Sequence, residues 1–185
     1  MKLFGSYTSP FVRHCRVAMA QGGYEFEFVE TDYDMSAAMS PTSKVPFLTD
    51  GDLTLTDSGS ILKYLREKSG SSFLSDLADY ELFAMTNTVL DATINLFLLE
   101  NNGLTPEQVP YLQRQLDRVH TGLEELDRRV DPSVGIGTDS QLRCACFVDW
   151  AIFRNRVDFA PHTQLLALLE NANAEQAFIT TAPPK

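Results

Sequence analysis

Three short stretches near the amino terminus carry residue types that could do chemistry. They are Ser9-Pro10 in YTSPFVRHCR, Lys44-Val45-Pro46 in KVPFL, and Asp57-Ser58 in LTDSGSILKYL. Each has a structural reading and a chemical one. Serine followed by proline is a common helix start, with serine as cap and proline at the first helical position. The same hydroxyl, beside a helix N-terminus, can donate a hydrogen bond to an anion. Lys44-Val45-Pro46 reads as a loop entering a strand, where proline is tolerated. A cis Val45–Pro46 bond would turn the Val45 backbone N–H and C=O outward to pair with an extended peptide. Such bonds make up only about 5–6% of X–Pro bonds. Asp57 and Ser58 are both good helix caps. They also suit an amino acid head group, with Ser58 and the free helix N–H groups on the carboxylate and Asp57 on the ammonium.

The elements that would position these residues follow from the pattern around them. KLFGSY over 2–7 predicts a short strand, and 10–21 predicts a helix ended by Gly22-Gly23. YEFEFVE over 24–30 alternates apolar and acidic residues as a half-buried strand does. Strand, helix, strand in that order favours two parallel strands joined by a right-handed crossover. A loop with a short helix at 34–39 follows. PFLTD and LTL then flank Asp50-Gly51-Asp52, a hairpin turn signal. A helix from about Asp57 to Lys68 closes the series at Gly70. This order matches the thioredoxin topology, which brings all three sites to one edge of the sheet. The ligand for such a cleft has a thiol, a peptide backbone and a free α-amino acid end. Glutathione has all three.

Beyond residue 70 the strand pattern stops. Residues 75–101 predict a long apolar helix. Val109, Leu112, Leu116, Val119, Leu123, Leu126 and Val130 form one helical stripe over 106–130. Thr138 with Gln141 reads as a capping box opening a buried helix through CACFVDWAIF. A last short helix is marked by Leu165, Leu166, Leu168 and Leu169, and the tail FITTAPPK reads as irregular. The fold class is therefore α/β plus all-α: a thioredoxin-like domain over 1–69 and a helical bundle over 75–185.

The chain has 185 residues and a net charge of −10. Acidity disfavours nucleic acid and anionic membrane surfaces as partners. INLFLL at 94–99 is too short to span a bilayer. A soluble, cytoplasmic protein is expected. Cys15, Cys144 and Cys146 are odd in number, which argues against a disulfide framework. Cys144 and Cys146 are two residues apart in a predicted helix and point to different faces, so no metal site is expected.

The chain resembles the cytosolic glutathione transferases over nearly its whole length. The resemblance rests on SYTSPFVRHCRVAM, KVPFL, LTDSGSILKYL and the helix near DWAIFR. It implies that Ser9 is the catalytic hydroxyl, as in serine-type bacterial members. Val45 becomes the backbone-pairing residue, Pro46 the cis proline, and Asp57 and Ser58 the γ-glutamyl binders. Phe11 and Lys44 fall where related members contact the rest of glutathione. Tyr7, near the end of the first strand, is the rival to Ser9. The resemblance further implies a detoxifying homodimer, with glutathione as co-substrate, no permanently bound cofactor, and a small hydrophobic electrophile as second substrate. The thiol-disulfide members carry cysteine where Ser9 stands, and Cys15 reads as a core thiol. Alternatives are glutathione-dependent peroxide or disulfide reduction, or a non-catalytic interaction protein similar to stringent starvation protein A. Arg13 and Arg16, one turn apart, could lend positive potential near a thiolate or serve structurally.

Overall fold

The computed structural model describes residues 1–184. They divide into two compact units: Met1–Phe73 together with the segment from Asn173 onward, and Leu74–Ala172. The tail thus departs from the boundaries expected from the sequence, since it groups with the first unit.

The first unit is built on a four-stranded sheet. Its strands are β1 (Lys2–Gly5), β2 (Glu27–Glu30), β3 (Phe47–Asp50) and β4 (Leu53–Leu55), in the order β2-β1-β3-β4. β1 pairs parallel with β2 and antiparallel with β3, and β3 pairs antiparallel with β4. The helices are α1 (Pro10–Gln21), α2 (Tyr33–Met39) and α3 (Ser58–Lys68). Leu3, Val12, Cys15, Val17, Met19, Leu48, Ile61 and Leu62 are fully buried and form its core. β2 is shorter than its alternating pattern suggests. The Tyr24 N–H donates to Met19 O and its hydroxyl donates to Leu65 O, so this residue completes the end of α1 instead of joining the strand.

An ionic cluster ties the end of β3 to α3. Asp50 Oδ2 accepts from the Tyr64 hydroxyl at 2.6 Å and from Lys68 Nζ at 2.7 Å. The amino terminus lies 3.9 Å from Asp50 Oδ1. Hydrogen bonds from Lys68 and Tyr64 hold the Asp50 carboxyl below its usual range. The bond to Asp50 holds the Lys68 ammonium above its own. The carboxylate's contribution to stability is present above the unfolded carboxylate value, about 3.9, and is lost as pH falls through the depressed folded value. The ammonium's contribution is present below the unfolded lysine value and is lost only as pH rises past the raised one. Asp50→Asn should therefore lower Tm at pH 7. As pH falls below the unfolded carboxylate value, about 3.9, its melting curve should draw toward that of the parent; a gap that stays constant through that fall would remove the ion pair as the cause.

The second unit is helical. It contains α4 (Leu77–Glu100), α5 (Pro110–Arg129), α6 (Asp139–Phe153) and α7 (Thr163–Ala172). α4 has the length and composition of a membrane span, a test that core helices of soluble proteins also pass. It packs along α5 and α6, with Leu82, Phe83, Val89 and Leu90 buried. The predicted stripe on α5 holds for Leu112, Val119, Leu123 and Leu126, which are buried. Pro110 fixes the helix start, so Val109 becomes its cap. Thr138 caps α6, its hydroxyl accepting from Gln141 N at 3.4 Å. The second arm of the expected capping box is absent, because the Gln141 side chain donates to Asp131 O instead. Asp127, on α5, accepts from the Gln164 and Leu165 amides and so caps α7 from a neighbouring helix.

α4 and α5 approach closely at Gly122. A Cβ there would meet Val89 Cγ2 at 2.4 Å. Alanine raises helix propensity by about 1 kcal/mol over glycine, but overpacking a stiff, buried valine costs about 1–3 kcal/mol. The clash wins. Gly122→Ala should lose about 1 kcal/mol net and about 2–4 °C of Tm, measured by thermal denaturation.

The tail is not irregular throughout. α8 (Gln176–Ile179) is one turn of helix and takes up the first residues of FITTAPPK. It belongs to the first unit.

Candidate functional site

Sheet register carries the three sequence sites to one end of the sheet. β1 and β3 pair with Phe4 opposite Phe47. β1 therefore ends, at Gly5, at the same end of the sheet where β3 begins, at Phe47. β3 and β4 pair with Leu48 opposite Leu55, so β4 leaves toward Asp57 at that same end. The loop that leaves β1 at Ser6 ends on Ser9, which caps α1. Stacked rings of Phe4 and Phe47, 4.3 Å apart and 7° from parallel, anchor this end of the sheet.

Ser9 is half-buried, with extended backbone at φ −79° and ψ 127°. Its Oγ accepts from Val12 N at 3.4 Å, and its own N–H donates to Ser6 O at 3.1 Å. A serine hydroxyl has two acceptor lone pairs and one donor proton. Capping therefore uses a lone pair and leaves the proton, which has no acceptor among the described residues. The two readings of Ser9 do not compete. Upstream, the Ser6 and Thr8 hydroxyls lie 3.1 Å apart.

The Val45–Pro46 bond is cis. Pro46 is buried and Val45 half-buried. Val45 lies ahead of β3, and its backbone N–H and C=O pair with no group among the described residues. Lys44 is exposed. Phe11, second residue of α1, is half-buried.

Asp57 caps α3. Its Oδ1 accepts from Gly59 N at 2.8 Å and from Ser60 N at 3.3 Å. Its Oδ2 has no partner among the described residues. This revises the expected head-group receptor, because two of the helix amides meant for a carboxylate are given to Asp57. Ser58, the first helical residue, is 6% exposed.

Tyr7, the rival to Ser9, is held through its ring. Its ring packs on Phe28 with centroids 4.6 Å apart, and the Arg16 guanidinium lies over it at 4.9 Å. Arg16 Nη1 donates to Thr181 O, and Arg13 Nη2 donates to Phe178 O while its guanidinium lies 3.8 Å over the Phe178 ring. Both arginines thus bind the end of the chain, contacts that no side-chain pattern in the sequence announces.

All three thiols are buried. Burial pushes the Cys144 thiol up to about 12 despite the Thr86 hydroxyl 2.9 Å from its sulfur. A thiol that stays protonated at neutral pH is not a nucleophile.

Residues 3–73 match the glutathione S-transferase N-terminal domain. That stretch carries the glutathione S-transferase N-terminal domain. A GST-like protein of Escherichia coli, YibF, is 29% identical over the full length of both chains. A glutathione S-transferase from Methylobacillus flagellatus, solved with GSH bound, superposes with a TM-score of 0.84 at 24% identity, over 99% of each chain. That likeness shows the fold. A maleylacetoacetate isomerase of Methylobacterium extorquens, solved with malonate and GSH, superposes with a TM-score of 0.73 at 25% identity, over 99% of this chain and 96% of its own.

Proposed function

We propose that this chain is a serine-type glutathione transferase, in which the Ser9 O–H donates to the glutathione sulfur. One observation carries the reading: Ser9 Oγ satisfies Val12 N as a cap while its proton remains to donate at the N-terminus of α1. Val45 pairs through its backbone with the peptide part of the ligand. Asp57 Oδ2 receives the ammonium, and Ser58 the γ-glutamyl carboxylate. Lys44 and Phe11 flank the remainder.

The energetics are sufficient. A free thiol with pKa near 8.5 is only about 3% thiolate at pH 7. Lowering that value by about two units requires about 2.7 kcal/mol of preferential stabilisation of the anion. A hydrogen bond to a charged group contributes about 1.5–3 kcal/mol, and a helix N-terminus about 0.3–1. The gain in thiolate population is under two decades, so positioning of a small hydrophobic electrophile supplies the rest of the acceleration.

Disulfide reduction through a protein thiol receives less support, because Cys15 is fully buried. Reduction by the bound glutathione thiolate itself would use the same site, and so would an isomerisation of the kind named for the Methylobacterium neighbour, which was solved with GSH. Family kinship extends the reading to a cytoplasmic homodimer. The test is retention on immobilised glutathione followed by conjugation of a nitro-activated aryl halide. Retention with turnover supports the transferase; no retention leaves a non-catalytic interaction protein.

A further inference from the structure

We propose that Arg16 is a positioning residue, held by the last segment of the chain, that fixes Tyr7 and with it the Ser6–Ser9 hydroxyl loop. The proposal rests on the assignment of Ser9 above and extends the site to residues far away in sequence.

The loop's own hydrogen bonds are all local. Ser9 N donates to Ser6 O, Thr8 N donates to Ser6 Oγ, and the Ser6 and Thr8 hydroxyls pair. Bonds of that reach shape the loop but do not tie it to the sheet. Tyr7 supplies the tie. Its ring lies against Phe28 on β2, and the Arg16 guanidinium lies over both rings, 4.9 Å from Tyr7 and 5.1 Å from Phe28. A planar cation over two aromatic faces is attracted by both, and a guanidinium does this better than an ammonium.

A guanidinium on a long stem needs a fixed point to hold that plane. Arg16 has one in the Thr181 carbonyl, at 3.1 Å from Nη1. Thr181 is itself held, its hydroxyl donating to Ala177 O and Phe178 O, both at 3.0 Å. Phe178 is fully buried beneath Arg13, whose Nη2 donates to its carbonyl. The line of contact therefore runs from Phe178 to Thr181, to Arg16, to Tyr7, and so to Ser9. Every member lies in the first unit.

The test uses two variants. A stop after Ile179 removes the Thr181 carbonyl and keeps Phe178 under Arg13. Arg16→Lys keeps the charge and loses the planar contact. Amide hydrogen exchange of the ligand-free protein is read at Thr8 and Ser9, and then the thiolate absorbance of added glutathione is titrated. We expect both variants to exchange at least tenfold faster at Thr8 and Ser9, with the amides of β3 and α3 unchanged. We expect the bound thiol to titrate closer to 8.5 and kcat to fall while the KM for glutathione holds. Unchanged exchange at Thr8 and Ser9 overturns the proposal, and so does equal acceleration across the whole unit, which marks general destabilisation. Faster loop exchange with an unshifted thiolate overturns the link to chemistry. If the parent protein binds no glutathione, the assignment of Ser9 falls, and the ligand-free exchange alone decides whether Arg16 positions the loop.

Discussion

Replacing Ser9 with alanine should move the pKa of bound glutathione from near or below 7 back toward 8.5, with kcat/KM at pH 7 falling about 10- to 100-fold. The size follows from one charge-assisted hydrogen bond, about 1.5–3 kcal/mol, at about 1.4 kcal/mol per decade. Alanine also deletes the cap on α1, because the bond from Val12 N is lost. That costs about 0.5–2 kcal/mol of stability. The two effects can be separated with Ser9→Gly. Glycine is tolerated at a cap with a loss of only a few tenths of a kcal/mol, yet it donates no side-chain proton. Alanine and glycine should therefore match in thiolate titration and differ in Tm. If glutathione binds and all three proteins titrate alike, Ser9 is a cap only, and Tyr7 or backbone amides become the donors to the sulfur.

Asp57→Ala should weaken glutathione binding by about 10- to 150-fold, the equivalent of one lost hydrogen bond between charged partners. The alanine variant also exposes the Gly59 and Ser60 amides that Oδ1 now satisfies, so some of the loss would come from fraying at the start of α3. Asp57→Asn separates the contributions. Asparagine caps a helix as well as aspartate does, and its carbonyl oxygen can keep both amides. Its NH2 cannot accept from an ammonium. Calorimetry should find the asparagine variant nearly as weak as alanine in binding but close to the parent in Tm. Parent-like affinity for the asparagine variant would take the ammonium away from Asp57.

The helix starts around the candidate site were legible because their residues speak through side chains. Ser9 before Pro10, Asp57 before Ser58, and Thr138 three residues ahead of Gln141 announce helix starts, and all three act as caps. The hairpin at Asp50-Gly51-Asp52 was visible for the same reason. Local patterns failed where distant main chain competes. Residues 24–26 alternate like a strand, yet Tyr24 is drawn into the end of α1 by Met19 and Leu65 carbonyls. Gln141 offers the chemistry of a capping box, and the Asp131 carbonyl takes its amide. Arg13 and Arg16 read as candidates for a charged site. Their partners, Phe178 O and Thr181 O, are carbonyls that any residue carries. The cis bond at Pro46 was a possibility raised by its neighbours, since sequence sets only a small bias between isomers.

The return of the chain's end to the first unit has a consequence during synthesis. The sheet and α1–α3 emerge first, but the residues that Arg13 and Arg16 grip begin only at Asn173, after Leu74–Ala172 has been made. At about 5–20 residues per second, that interval is on the order of 5–20 s. Throughout it, the amino-terminal half of the nascent protein carries its two arginines over α1 without their final carbonyl partners. The helical unit is thus an insertion within a discontinuous domain.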